Sequence, residues 1–534
     1  MKTKYIYSIN SLIPFLFCSF LLNFAYADFG WNLPPIEISE PNEESTTPQV
    51  CCDTFGNAFA VWVGKPMGIS DFVVKTSYFD GDTLIWSTPI QVSTPGEDAS
   101  SPQVCCDNFG NAHIIWQRSN GSNQIIQSST IDKETLIPST PVNLSAPGEN
   151  SDTPQICCND SGNAFAVWRR FDVAQASIFN GTSWSPIDEV VTLSASGSNI
   201  RDTEICCDDS GNAIAIWARK IGPVNVVQSS HFNGTSWSDV NVLSDPNENA
   251  RDNQICCDNS GNATAVWNGS DNLNLIIYAS HFNGSSWTPT SALFKLSDPI
   301  GTAAFPQICC NESGNAIAAW THSNGSNLII QASRFNGTSW VPFEDGVDLS
   351  APGQDTEKVQ VCCDEYGNAI AIWQRSNGSN TIIQSSRFNG TSWTPIAEVD
   401  NLSNPGENAI TPQVCCDSAG RVISIWEVET GSDCNIQETF YLPLVFPPAS
   451  FQGNRVTNRF PSQSSTSAHL SWTPNTDPNI TSFDIYRNGI LIATVPSYLS
   501  SYKDCNIDPC QNYTYSIISE NIAGDDSDAE TITL

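Results

Sequence analysis

Sixteen of the 20 cysteines stand in adjacent pairs: Cys51 and Cys52, Cys105 and Cys106, Cys157 and Cys158, Cys206 and Cys207, Cys256 and Cys257, Cys309 and Cys310, Cys362 and Cys363, Cys415 and Cys416. Thiols can cross-link, ligate metals or act as nucleophiles. Neighbouring residues of a strand point to opposite faces. The first cysteine of each pair can therefore reach one neighbouring unit and the second the other, which makes a closed belt of disulfides if the strands approach within about 7 Å. Two other states stay open for the same pairs. One is a ring disulfide inside each pair, which distorts the strand; the other is a set of buried thiols acting as small apolar fillers. Zinc is not expected, because adjacent thiolates without histidine partners lack its ligand spacing. Cys505 and Cys510 are close enough in sequence for a small loop disulfide, which leaves Cys434 odd and available for a bond to a partner chain.

Basic residues show a second pattern. Arg118, Arg170, Arg219 and Arg375 each stand two places after a tryptophan of a recurring phrase, and His322 holds that place in a fifth copy. In a chain with 22 basic against 56 acidic side chains, this placement suits a multivalent rim for glycan hydroxyls, carboxylates or a partner protein. The competing reading pairs each arginine with a nearby acid such as Glu149 or Glu407. Catalytic residues are not expected: the five histidines are scattered and the acids recur from copy to copy. No metal or other cofactor is expected either. The D-x-x-G-N phrase offers one carboxylate per turn, far from the roughly six to eight oxygens that calcium takes.

These residues recur because the phrase around them does. It reads VCCDTFGNAFAVW from Val50, ICCDDSGNAIAIW from Ile205 and VCCDSAGRVISIW from Val414, with eight copies spaced 49 to 54 residues apart. Each copy parses into four strands. The first ends in the cysteine pair, and D-x-x-G-N is a hairpin turn that needs positive φ. An alternating segment such as AIAIW follows, then one such as IIQSSRF, then an Asn-Gly turn and a strand that begins with tryptophan. Four short antiparallel strands per period of this length make a propeller blade, which must stack on its neighbours to bury its faces. Eight tryptophans end the second strand: Trp62, Trp116, Trp168, Trp217, Trp267, Trp320, Trp373 and Trp426. Trp31 is a fourth-strand tryptophan standing before the first copy, while the eighth copy ends after its third strand. The expected fold over 28–445 is therefore an all-β, eight-bladed propeller closed by an N-terminal strand, with seven blades and a stray unit as the alternative.

Residues 1–27 read as an export signal, with Lys2 and Lys4, an apolar run from Leu12 to Leu22 and Ala25-Tyr26-Ala27 at its end. The run is too short for a membrane anchor, and no transmembrane segment is expected elsewhere. Removing two lysines leaves 20 basic against 56 acidic side chains, a charge of −36 that excludes a polybasic nucleic-acid binder. The expected location is extracellular, on the cell surface, or in the periplasm or outer envelope.

The segment Ser386-Arg387-Phe388-Asn389-Gly390-Thr391-Ser392-Trp393 resembles a degraded Asp-box, the S-x-D-x-G-x-T-W turn of sialidase-type propellers. Phe388 stands where that motif has Asp, and Phe232, Phe282 and Phe335 repeat the departure. The D-x-x-G-N-A-x-A-V-W phrase is similar to repeats of exported bacterial propellers. The resemblance implies a fold more than an activity, since the Asp-box is a structural turn. A retaining sialidase would also need an arginine cluster, a Tyr–Glu pair and an acid Asp, and no Arg-Ile-Pro segment like the family's is present. Residues 446–534, a proline-rich linker and a run of strands, resemble a fibronectin type III domain with Trp472 and Tyr486 in its core and Tyr513 and Tyr515 in a late strand. Such modules act as spacers or in adhesion. The expected function is a non-catalytic exported interaction scaffold, lectin-like, that binds a protein or glycan partner. A sialidase-type glycoside hydrolase and a disulfide-hardened structural envelope protein are the alternatives.

Overall fold

The structure, a computed structural model, describes residues 30–534 except 97, 198, 271–273, 343–345, 432, 444–446, 461–462, 475–479, 506, 522–526 and 528. The signal-like segment 1–27 lies outside the described residues. The chain is almost entirely β: eight antiparallel repeat sheets of four or five strands, then two further sheets in the tail. In the third repeat the strands are Ser151–Cys158, Ala164–Arg170, Val173–Phe179 and Val191–Thr192, in that spatial order. The first strands pack side by side in chain order, and that of the eighth repeat (Asn408–Cys416) packs on that of the first (Glu44–Cys52). The array thus closes on itself, a propeller-like architecture. Gly30–Trp31 and Ile36–Glu37 pair with the third strand of the eighth repeat, Asp433–Leu442, which supplies the outer strand that this repeat lacks.

The A-x-A-x-W alternation of the second strand builds the contact between sheets. Ala58, Ala60 and Trp62 face backward onto Ile423 and Ile425 of the eighth repeat. Phe59, Val61 and Val63 face forward onto Ala112, Ile114 and Trp116 of the second. Two alanines leave a recess for branched side chains and the indole fills the remainder, so all eight second-strand tryptophans are fully buried. Outer strands are shorter than the sequence suggests. They consist of isolated bridges such as Phe388↔Trp393 and pairs of two residues, because Pro186, Pro289 and Pro395 soon after the tryptophan each remove a ladder donor.

Every first strand carries a β-bulge, marked by a register shift such as that between Asp152 and Gln155. The bulged residue has φ between 48° and 55° in all eight repeats: Thr47, Ser101, Thr153, Asp202, Asp252, Phe305, Lys358 and Thr411. A left-handed conformation costs an L-residue about 1–2 kcal/mol, and none of the eight is glycine. Phe305 is 62% exposed and contributes little packing. Phe305→Gly is therefore expected to raise stability by about 0.5 kcal/mol, the relief being partly offset by chain entropy. A urea midpoint that falls at unchanged slope would contradict this.

In the tail, a three-stranded sheet (Ala449–Phe460, Gln463–Thr473, Ser501–Asp504) faces a four-stranded one (Ile490–Pro496, Ile480–Arg487, Thr514–Asn521, Glu530–Thr533) across one core. Trp472, Tyr513 and Tyr515 lie in that core, and Trp472 meets Phe483 edge to face at 5.7 Å. Tyr486 does not, contrary to expectation. Phe483 and Ile485 face inward on its strand, so strict alternation turns Tyr486 to the half-buried opposite face.

Candidate functional site

The cysteine pairs divide as the strand geometry requires. Seven bridges join consecutive first strands: Cys51–Cys106, Cys105–Cys158, Cys206–Cys257, Cys256–Cys310, Cys309–Cys363, Cys362–Cys416 and, across the closure, Cys52–Cys415. The expected belt of eight is incomplete by one link. Cys157 and Cys207 occupy the eighth position as thiols hydrogen-bonded to each other, with burial pushing Cys207 up. Packing brings this pair together at the eighth link. The Cys505–Cys510 loop bridge is also absent. Cys505 follows the strand Ser501–Asp504 with its sulfur toward the Lys503 carbonyl, while Cys510 is held in a separate turn by its own N–H donating to Asp508. Cys434 is a half-buried thiol whose pKa is raised by burial and by Glu427 and Glu429, which opposes thiolate formation and exchange with a partner.

The basic positions sit where the second strand leaves the core in five of the eight repeats, and not in a common pocket. Arg170 Nε lies 3.5 Å from Glu149 Oε2, and Arg375 Nη1 donates to Gln384 Oε1 at 3.4 Å. His322 is buried, Arg118 and Arg219 are half-buried, and desolvation lowers the Arg118 pKa. Glu407 instead accepts from Gln437 at 3.1 Å. In the first repeat Gly64 holds the arginine position, and a Cβ there would collide with Glu43. Lys75, from the adjacent strand, supplies the cation and donates to Glu43 at 2.5 Å. This pairing is invisible in the repeat alignment because the cation has moved to another strand.

The recurrent turn acids are consumed locally. Asp53 Oδ1 accepts from the N–H groups of Phe55 and Asn57, and its Oδ2 accepts from Asn57 Nδ2. One residue further on, the repeats differ, and there Asp160, Asp209 and Glu312 bring carboxylate oxygens within 4.8 Å of one another. Burial and the neighbouring carboxylates push Asp160 up to about 6 and Glu365 to about 7. This is the group among the described residues with the donors to hold a cation, and it joins three separate repeats. In the first strand of the fourth repeat, Ile200–Cys207, Glu204 replaces a repeat glutamine and accepts from Gln155 and Gln254 at 2.9 and 3.2 Å.

Two equivalent grooves lie between outer strands. One, of about 480 Å³, separates the second and third repeats and is floored by half-buried Trp184 with Pro186, Ser129, Thr140 and Val142. The other, of about 490 Å³, separates the sixth and seventh and repeats the arrangement with Trp393, Pro395, Ser333, Thr394 and Val347. At the Asp-box position Phe388 packs its ring 5.4 Å from that of Trp393, so the departure from Asp supports the indole from below. Neither groove was readable from the repeat, because each wall comes from a different copy.

No protein-family model matches the chain, and no curated protein does. Among solved structures it is similar to a fungal alcohol oxidase of the AA5 family in complex with copper, at 13% identity and a TM-score of 0.44 over 95% of this chain and 99% of that one. A polysaccharide lyase of family PL25, an ulvan lyase, aligns at 12% identity and a TM-score of 0.43 over 76% of this chain and 95% of that one. An α-L-arabinofuranosidase from Fusarium graminearum aligns at 9% identity and a TM-score of 0.35 over 55% of this chain and 93% of that one.

Proposed function

We propose that this chain is an exported, non-catalytic interaction scaffold, an eight-bladed propeller with a fibronectin type III-like tail, that binds a glycan or a protein partner at the cell surface or envelope. The two equivalent tryptophan grooves carry the reading and favour the glycan. An indole floor with proline beside it offers an apolar platform, and serine and threonine hydroxyls line the walls, as the two faces of a sugar ring demand. Two grooves on one closed ring give multivalency without new contacts. Seven disulfides suit an oxidising compartment, and no helix among the described residues is long and apolar enough to cross a membrane. The disulfide-hardened structural role is the second reading, favoured by the same bridges.

The test is a glycan array probed with the oxidised full chain. Val142 and Val347 are 45% and 41% exposed in the two grooves, so Val142→Glu and Val347→Glu add charge without opening the core. Each is expected to weaken binding, and the pair to reduce it by about tenfold or more, with unchanged circular dichroism. Silence across the array would leave the structural role standing. Release of sugar fragments from a bound glycan would overturn the non-catalytic reading.

A further inference from the structure

The repeat is broken three times around one cavity. This cavity, of about 640 Å³, lies where the eighth, first and second repeats meet on the side of the D-x-x-G-N hairpins. In the third to seventh repeats the outer turn is Asn-Gly-Thr-Ser or Asn-Gly-Ser-Ser, without charge. The first repeat has Asp80-Gly81-Asp82-Thr83 there, and the second has Asp132-Lys133-Glu134-Thr135. Asp80 Oδ1 accepts from the N–H groups of Asp82 and Thr83 at 2.9 and 3.2 Å. Asn180 does the same for Thr182 and Ser183 at 3.1 and 3.0 Å. Asparagine would therefore serve the turn equally, and the charge is surplus to folding. The third break is Arg421, which replaces the hairpin asparagine of the other seven repeats and donates through Nη1 to Gly81 O at 3.3 Å, fixing the first turn to the last repeat.

Inside the cavity several groups are unspent. Phe55 is 64% exposed. The Tyr78 ring packs 5.0 Å from that of Phe59, while its hydroxyl has no hydrogen-bond partner among the described residues. Burial and the carboxylates of Asp80, Asp53 and Glu134 hold this phenol well above its ordinary pKa, so it stays a donor. The side chains of Asp82, Lys133 and Glu134 likewise have no hydrogen-bond or ion-pair partner among the described residues.

We propose that this cavity binds a neutral saccharide unit. Carboxylates of Asp80, Asp82 and Glu134 repel anionic sugars, and Lys133 among them opposes a simple cation. Donors (Tyr78, Lys133) and acceptors stand side by side, which matches hydroxyl groups because each hydroxyl both donates and accepts. Phe55 offers an apolar face to the C–H side of the ring. The inference rests on the proposed function only for the premise that the chain binds carbohydrate, since this cavity is separate from the grooves.

Saturation-transfer NMR on the oxidised full chain carrying Val142→Glu and Val347→Glu, so that the grooves do not contribute, tests it with methyl glucoside, methyl galactoside and methyl mannoside, and with the methyl glycoside of sialic acid as the anionic arm. At least one neutral glycoside is expected to receive transfer, reduced at least fivefold by Asp82→Lys and by Tyr78→Phe and unchanged by Glu398→Lys on an exposed turn elsewhere. No transfer to any neutral glycoside, transfer that survives both cavity variants, or stronger transfer to the sialoside would each overturn the proposal. Array binding that depends on Val142 and Val347 without such transfer removes the cavity and keeps the grooves. Cavity-dependent transfer with a silent array does the reverse.

Discussion

Full reduction and alkylation of the cysteines lowers the thermal midpoint of the repeat region by roughly 15 °C. The figure follows from about 2 kcal/mol for each of the bridges, the lower end of the usual range. Spread over an unfolding entropy of about 2.1 cal/mol/K for each of roughly 400 residues, the combined loss gives a shift of that size. The bridges are not equal in topology. Cys52–Cys415 spans 363 residues of sequence, whereas the other six span 51 to 55. With those six in place, the unfolded chain can travel from repeat to repeat through sulfur, so the loop that Cys52–Cys415 closes is effectively little longer than the rest. The paired variant Cys52→Ser with Cys415→Ser is accordingly expected to cost about 2–4 kcal/mol, near the cost of any other bridge. Calorimetry with and without reductant reads both values. A midpoint unmoved after verified reduction would show that packing alone holds the ring.

A second large effect comes from pH. Glu438 stands in the third strand of the eighth repeat where other repeats have serine, threonine or alanine, and it is 1% exposed. Burial pushes its carboxyl up to about 8, with the Trp86 indole offsetting part of the shift. In the unfolded chain the same group loses its proton near pH 4.3. Between those values the folded state holds a proton that the unfolded state has released, so each rise in pH favours unfolding. This stability is fully present below the unfolded pKa and is lost as pH climbs through about 8. At about 1.4 kcal/mol per pH unit, the loss between pH 5 and 8.5 is on the order of 3–5 kcal/mol. Glu438→Gln has no proton to release and is expected to flatten the decline. Glu204, also held up to about 8 by burial, leaves a residual slope of the same sign. Urea midpoints of wild type and variant at pH 5 and 8.5 decide the matter; parallel declines would place the titration elsewhere.

The repeat was legible because its period, its turn residues and its tryptophans state the same four-strand unit. Cys51 and Cys52 pointed to the belt because strand alternation fixes which neighbour each sulfur meets, although the pairs alone also allowed a ring disulfide or buried thiols. Trp31 announced the closing strand by standing one repeat too early. Binding features were less legible, because they are made between copies. Trp393 reads as core in its own repeat, and only the sixth repeat's Val347 and Ser333 turn its surroundings into a groove. Asp82, Glu134 and Asp417 are hundreds of residues apart at the extremes and share one cavity only because the ring closes. The carboxylates of Asp160, Asp209 and Glu312 converge for the same reason.

The sulfur belt also changes what a protease can accomplish. A cut in any outer loop between Cys52 and Cys415 divides the polypeptide, yet the pieces on either side remain joined through Cys52–Cys415 and through bridges flanking the cut. Even in the stretch between Cys158 and Cys206, where no local bridge spans the gap, the closing bond holds both ends. A nicked molecule keeps its mass, and its sheets stay within reach of one another. In a compartment rich in hydrolases, this converts damage to the exposed turns from the loss of the protein into a scar on it.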